Sequence, residues 1–242
     1  MVSQVSVVSL MTMPRISVVQ YLNTAPLVWG MLYGTERGKF DLEFTTPARC
    51  ADAVAQGQAD VGIVPSIEVP RIDGAEIVPG VSIASKGLVK SVLLLSKVPI
   101  EEIRSVAMDN SSRTSAALVT ILLRRFYGLD FQSGLAHPQL EQMLKRADAA
   151  LLIGDPALTL ELKAEASTLE SEEPKVEGPR SKSEEPYRDL VVYDLAAEWK
   201  KFTGLPFVFA LWAGRPEAGL GEFAREFQES RNQGLLHLDA IA

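Results

Sequence analysis

The sequence predicts an α/β protein whose mostly parallel sheets carry helices on both faces. Three observations point there. Short apolar segments alternate with segments of helical period along most of the 242 residues. Runs such as VLLLS (92–96) and ALLIG (150–154) are apolar throughout, the pattern of strands covered on both faces. The alternation also restarts near residue 98, which divides the chain into two successive layered units.

Taken in order, RISVVQY (15–21) reads as a buried strand, and Thr24–Tyr33 as a helix that stops near Gly34. Asn and Thr are good helix caps, and Pro26 suits a first turn because its missing N–H has no partner there. Asp41–Thr46 reads as a strand with Leu42 and Phe44 inward, and Pro47–Gln56 as a helix closed by Gly57. Asp60–Pro65 is a further strand ending at Ser66, and Glu76–Ala84 and Lys90–Lys97 carry two more apolar stretches. The second half begins with a short helix at 99–104 and a strand at 105–110. A strong amphipathic helix follows over 111–126, then a helix at His137–Arg146 and a buried strand at 147–154. Residues 161–186 hold eight Glu, four basic residues and three Pro, a composition that buries too little to offset its ordering entropy, so a solvated mobile loop is expected. Regular structure resumes with a strand at 189–194, a helix at 195–204, a strand at 207–214 and a helix at 217–230.

Composition narrows the function. Hydrophobic residues make up 47% and charged residues 23%, a soluble globular balance. The net charge of −7 argues against nucleic acid or an anionic membrane surface as partner. No apolar run is long enough to span a bilayer. Residues 1–13 lack the features of a signal peptide and read as an N-terminal extension, with Met13 a second candidate start. A single cysteine, Cys50, fits a reducing compartment, so a cytoplasmic protein is expected. The sequence does not disclose an oligomeric state.

The polar residues that could carry chemistry cluster at strand ends, where α/β proteins hold ligands. They are Asn23 with Thr24, Ser66, Ser111, Ser112, Arg113, Thr114 and Ser115, Gly154 with Asp155, and Ser91 beside Lys90. Hydroxyls and free N–H groups at helix starts suit a carboxylate, and Arg113 can add a bidentate contact. Each cluster taken singly is also explained by a Ser or Thr capping its own helix. Five at corresponding places point to a shared anion pocket. His137 and His237 lie away from strand ends, and there is no phosphate-cradling glycine loop, nucleophile elbow or metal-ligand spacing. No cofactor and no metal is expected. Catalysis by such residues rests on orientation and hydrogen bonding rather than a strong nucleophile.

The segments RISVVQYLNTAPL, CADAVAQGQADVGIVPSIEV, GLVKSVLLLSK, SRTSAALVTILL and IGDPAL, in this order, resemble the chorismate dehydratases of the futalosine route to menaquinone. The resemblance runs from about Pro14 to Ala242. It implies the two-lobed fold of type II periplasmic binding proteins, with one lobe at 14–93 and 206–242, the other at 94–205, and a hinge at the two crossing segments. It implies a lyase that converts chorismate, a dicarboxylate, to 3-[(1-carboxyvinyl)oxy]benzoate. The functional Asn and Ser of that family match Asn23 and Ser91. In a sister family acting later in the same pathway a His serves as base where this chain has Gly154-Asp155, which favours the dehydratase. Ligand-binding positions of that sister family match Ser66, Thr114 and Ser115. The family continues for a few helices beyond the point matched by DAIA, and its loop at 161–186 is shorter. The alternative is a non-catalytic cytoplasmic protein of the same fold that binds a small anion.

Overall fold

The computed structural model describes residues 13–160 and 190–241. The charged stretch at 161–186 and the extension at 1–12 lie outside the described residues. The chain divides into two compact units, Met1–Ile63 with Arg71–Val81 and Trp212–Ala242, and Val64–Pro70 with Ser82–Leu211.

The first unit holds most of a sheet of order β2-β1-β3-β10-β4, whose strands β3, β4 and β10 each pass from one unit into the other. Its strands are β1 (Arg15–Val19), β2 (Asp41–Thr45), β3 (Val61–Pro65), β4 (Glu76–Ser85) and β10 (Phe207–Gly214), and β1 runs parallel to both β2 and β3. Every residue of β3 is buried, as its continuous VGIVP run requires. The expected inward side chains of β2 are a correction. Leu42 is half-buried and Phe44 is 44% exposed, because β2 ends the sheet and has a neighbour on one side only. Helix α2 (Pro47–Ala55) packs on β1 through Cys50 and Val54, both fully buried.

Helix α1 (Ala25–Tyr33) opens through a 3-10 turn at Leu22–Thr24 instead of a side-chain cap. Thr24 stands at the cap position in helical conformation and its hydroxyl makes no cap bond. The Thr24 N–H already donates to the Tyr21 carbonyl, so the turn satisfies backbone groups that a cap would otherwise serve. Against α1 lies α7 (Leu220–Leu235), near the other end of the chain. Ser230 is buried between them. Its Oγ donates to the Leu27 carbonyl (2.9 Å) and accepts from the Met31 N–H (3.2 Å). The approach is close because glycines form it: a Cβ on Gly234 would stand 2.0 Å from the Pro26 carbonyl oxygen, and one on Gly30 2.5 Å from the Ser230 Cα. Trp212 and Phe227, both fully buried, pack at 4.8 Å beneath this pair.

The second unit has the sheet order β7-β6-β8-β5-β9. It comprises β5 (Val92–Ser96), β6 (Ser105–Asp109), β7 (Gln132–Ala136), β8 (Ala149–Ile153) and β9 (Val191–Asp194). β6 runs parallel to β7 and β8, while β5 is antiparallel to β8 and β9. Side chains alternate across the sheet. Val92 and Leu94 join the cluster beneath α3 (Arg113–Ile121) and α6 (Leu195–Thr203), and Leu93 and Leu95 join the opposite cluster beneath α4 (Leu140–Leu144) and the helical residues 155–160, here α5. Helices therefore cover both faces, as the apolar runs demand. α3 passes into one π-helical turn at Leu122–Phe126, so the helix expected over 111–126 changes register near its end. β7 has no counterpart in the sequence reading, since QSGLA lacks apolar periodicity and is placed by pairing with β6. The helix expected at His137–Arg146 is restricted to α4.

Two outcomes follow from this packing. Gly234→Ala forces the α1–α7 pair apart and is expected to cost about 2 kcal/mol or more of stability, read by urea unfolding. Burial pushes the Cys50 thiol up to about 11. Thiolate is thus nearly absent at pH 8, and iodoacetamide is expected to leave native Cys50 unmodified while alkylating it in urea.

Candidate functional site

In the first unit, Asn23 sits in the 3-10 turn between β1 and α1 and is exposed, whereas its neighbour Thr24 is 1% exposed. The Thr24 hydroxyl donates to Asn23 Oδ1 at 3.4 Å, a long bond, and the Asn23 NH2 group donates to no protein acceptor among the described residues.

In the second unit, strand directions bring several expected residues to one edge of the sheet. β6 and β8 run parallel and end there, and β5, antiparallel to β8, begins there. The Gly154 N–H donates to the Ser91 carbonyl (2.8 Å), so Ser91 and the Gly154-Asp155 turn are adjacent. Gly154 takes φ +65°, a left-handed conformation that turns the chain sharply from β8 into the helix at 155–160. Ser111 to Ser115 follow β6 at the same edge.

These hydroxyls have distinct partners. Ser112 caps α3: its Oγ accepts from the Ser115 N–H (3.2 Å) and donates to the Ser115 hydroxyl (2.9 Å). Ser111 donates from both its N–H (2.9 Å) and its hydroxyl (2.6 Å) to Asp109 Oδ1. Thr114 and Ser115 are buried. The turn after β3 belongs to this unit and meets the start of α3. Ser66 donates to the Val208 carbonyl (2.8 Å), the Ile67 N–H donates to the Thr114 hydroxyl (3.4 Å), and Arg113 pairs with Glu68 (3.0 Å). Glu68 is 4% exposed, so its carboxylate holds the guanidinium from a low-dielectric position, where such a pair fixes geometry.

Three residues of this region escaped the sequence reading. Glu68 stands within the quoted DVGIVPSIEV segment, but its partner Arg113 is remote in sequence. Asp109 is 1% exposed, and its Oδ2 has no hydrogen-bond partner among the described residues while Oδ1 ties down the Ser111 turn. An Asp two residues ahead of a Ser at a strand end is a legible turn signal. Asp194 matters most. Oδ1 caps α6, accepting from the Ala196 and Ala197 N–H groups (both 3.0 Å), and Oδ2 accepts from the Val89 (2.8 Å) and Lys90 (2.7 Å) N–H groups. Lys90 has φ +59°, the one non-glycine residue in left-handed conformation among those described. Such a conformation costs about 1–2 kcal/mol and persists where surrounding bonds impose it. Asp194 thereby fixes the turn that presents Ser91. The cap half of this role is readable from YDLAAE, the clamp half is not.

Comparison with known proteins adds the family. A family model described as menaquinone biosynthesis matches residues 14–242. The chain belongs to the menaquinone-biosynthesis family. A curated member named chorismate dehydratase, from Thermus thermophilus, is 31% identical over 231 residues, spanning 92% of this chain and 78% of the relative. Among solved structures, a protein from Archaeoglobus fulgidus aligns with TM-score 0.63 at 16% identity over 94% of this chain and 78% of its own. The periplasmic aliphatic sulphonate binding protein of Escherichia coli aligns at 0.57 and 13% identity, over 94% and 74%. These likenesses show the fold: this family member has the periplasmic-binding-protein-like architecture expected of it. No helix among its described residues is long and apolar enough to cross a membrane, and no described group of three or more His, Cys, Asp or Glu is arranged to hold a metal ion.

The two functions of Asp194 separate by mutation. Asp194→Ala removes the cap and orphans two loop N–H groups, and is expected to cost about 2–3 kcal/mol in thermal or urea unfolding. Asp194→Asn keeps an oxygen for the cap and is expected to cost about 1 kcal/mol.

Proposed function

We propose that the protein is a chorismate dehydratase that forms 3-[(1-carboxyvinyl)oxy]benzoate in menaquinone biosynthesis through futalosine. The observation that carries this reading is the 31% identity to the Thermus thermophilus chorismate dehydratase over 92% of the chain, within the matched family. In this reading the enzyme works in the cytoplasm.

The reaction is an elimination. The ring C–H next to the ether oxygen breaks, its electron pair forms the new ring double bond, and the neighbouring C–O bond breaks so that hydroxide leaves and is released as water. The ring becomes aromatic, which supplies much of the driving force, and the enolpyruvyl ether stays intact. The protein must hold the substrate in the reactive conformation and keep it from rearranging. Asn23, with an NH2 group not committed to a protein acceptor, orients the substrate and stabilises developing charge. Ser91 hydrogen-bonds a carboxylate or the departing hydroxyl, and the Asp194 clamp on residues 89 and 90 supports this role by holding its turn in one conformation. Arg113, held by Glu68, suits a substrate carboxylate, and Thr24, Ser66, Ser111, Ser112, Thr114, Ser115, Gly154 and Asp155 complete the set of binding positions. The substrate's own enolpyruvyl carboxylate accepts the proton, so the protein supplies geometry rather than a base.

Incubation of the purified protein with chorismate, followed by absorbance and mass, is expected to give the aromatic product and one water. Asn23→Ala and Ser91→Ala are each expected to lower kcat by a hundredfold or more, about 2.7 kcal/mol of transition-state stabilisation, while leaving unfolding unchanged within about 0.5 kcal/mol. Binding of chorismate without conversion would overturn the enzyme reading, and near-full turnover by Asn23→Ala would overturn the role given to that residue.

A further inference from the structure

A serine hydroxyl has one proton to give, and where that proton goes decides what the oxygen can still bind. Asp109 decides it for Ser111. Asp109 Oδ1 accepts the Ser111 N–H at 2.9 Å, and the Ser111 hydroxyl lies 2.6 Å from the same oxygen. An oxygen that already receives an N–H is an acceptor there, so the hydroxyl donates to it. Bonds from O–H to a carboxylate are short and about twice as strong as neutral ones, and this one has such a length. The Ser111 proton is thus committed, and Oγ presents lone pairs and no donor. Ser66 and Ser112 are held less firmly. Ser66 donates to a neutral acceptor, the Val208 carbonyl, and the Ser112–Ser115 bond joins two hydroxyls, either of which is able to donate.

Asp109 does not meet a ligand itself. It is 1% exposed, and its Oδ2 is closed to solvent and has no hydrogen-bond partner among the described residues. A buried acceptor left in this way is costly and calls for a reason. No second donor draws on the carboxylate, so its pull falls on the two Ser111 bonds at Oδ1. Ser111 is half-buried, and its oxygen is open where the carboxylate is not.

We propose that Asp109 is a positioning residue that makes Ser111 the acceptor for the ring hydroxyl of the substrate, an assignment that rests on the dehydratase reading. Chorismate as a dianion carries two carboxylates, an ether oxygen and one hydroxyl, and that hydroxyl is its only O–H donor. Free N–H groups and Arg113 suit the carboxylates, but donors alone would hold any dicarboxylate of this size. A fixed lone pair at Ser111 selects one that carries a hydroxyl. As the C–O bond breaks, the oxygen gains negative charge and its O–H becomes a poorer donor. The contact therefore serves binding and specificity and does not lower the barrier.

Substrate and product separate this role from a structural one, because 3-[(1-carboxyvinyl)oxy]benzoate keeps both carboxylates and has lost the ring hydroxyl. Ser111→Ala retains the backbone bond to Asp109 and removes only the acceptor. It is expected to raise KM for chorismate about tenfold, with kcat within threefold and with Ki of the product, measured as a competitive inhibitor, within twofold. Ser111→Thr keeps the hydroxyl and is expected to restore KM to within threefold. Asp109→Asn still accepts the Ser111 N–H but grips the hydroxyl less firmly, and is expected to raise KM threefold or more, again without moving the product Ki. Equal rises of KM and Ki, an unchanged KM in Ser111→Ala, or a fall in kcat at constant KM would each overturn the assignment while leaving the dehydratase reading intact. Absence of turnover in the unaltered protein would overturn both.

Discussion

The contact between α1 and α7 is the constraint on which the first unit depends. The chain leaves this unit, builds the second, and returns for its last thirty residues or so, and it is α7 that closes the structure over α1. The closure is a backbone approach. Glycines at 30 and 234 and the buried Ser230 allow it, and the serine hydroxyl serves as donor and acceptor to backbone groups of the facing helix. Close packing of this kind tolerates no added methyl group, since interiors have the density of crystals. Because β10 lies between β3 and β4, the returning segment also completes the sheet. The position of β1 and α1, and with it the turn that carries Asn23, is therefore decided by residues two hundred positions later.

The second unit uses a different device at the sheet edge where the candidate residues gather. Carboxylates there act on backbone as much as on side chains. Asp109 ties the turn before α3, Asp194 joins the start of α6 to the turn before β5, and buried Glu68 holds Arg113. For an acidic chain whose proposed substrate is a dicarboxylate, this is a physical necessity. The global field repels the ligand, so attraction must come from local N–H groups, hydroxyls and one guanidinium. The carboxylates spend their charge on holding those groups in place. The left-handed Lys90 is the visible strain of that arrangement, sustained by the two N–H bonds to Asp194.

Much of this was legible from the residues alone. The alternation of apolar and amphipathic segments determined the α/β class, the continuous VGIVP and VLLLS runs determined which strands are covered on both faces, and the strand-end positions of Asn23, Ser66, Ser91 and Arg113 followed from the same pattern. Local chemistry determines these because a strand or helix must bury its apolar face whatever its partner. Tertiary structure alone decided the rest. β2 reads as a half-buried strand, but its place at the sheet edge exposes Phe44; β7 carries no apolar period and exists because β6 offers it backbone partners. Thr24 reads as a cap and is relieved of that duty by a 3-10 turn. Asp194 reads as a cap and also clamps a turn about a hundred residues earlier in the chain. In each case the deciding energy is a hydrogen bond or a packing contact between segments distant in sequence, and no local pattern encodes such a partner.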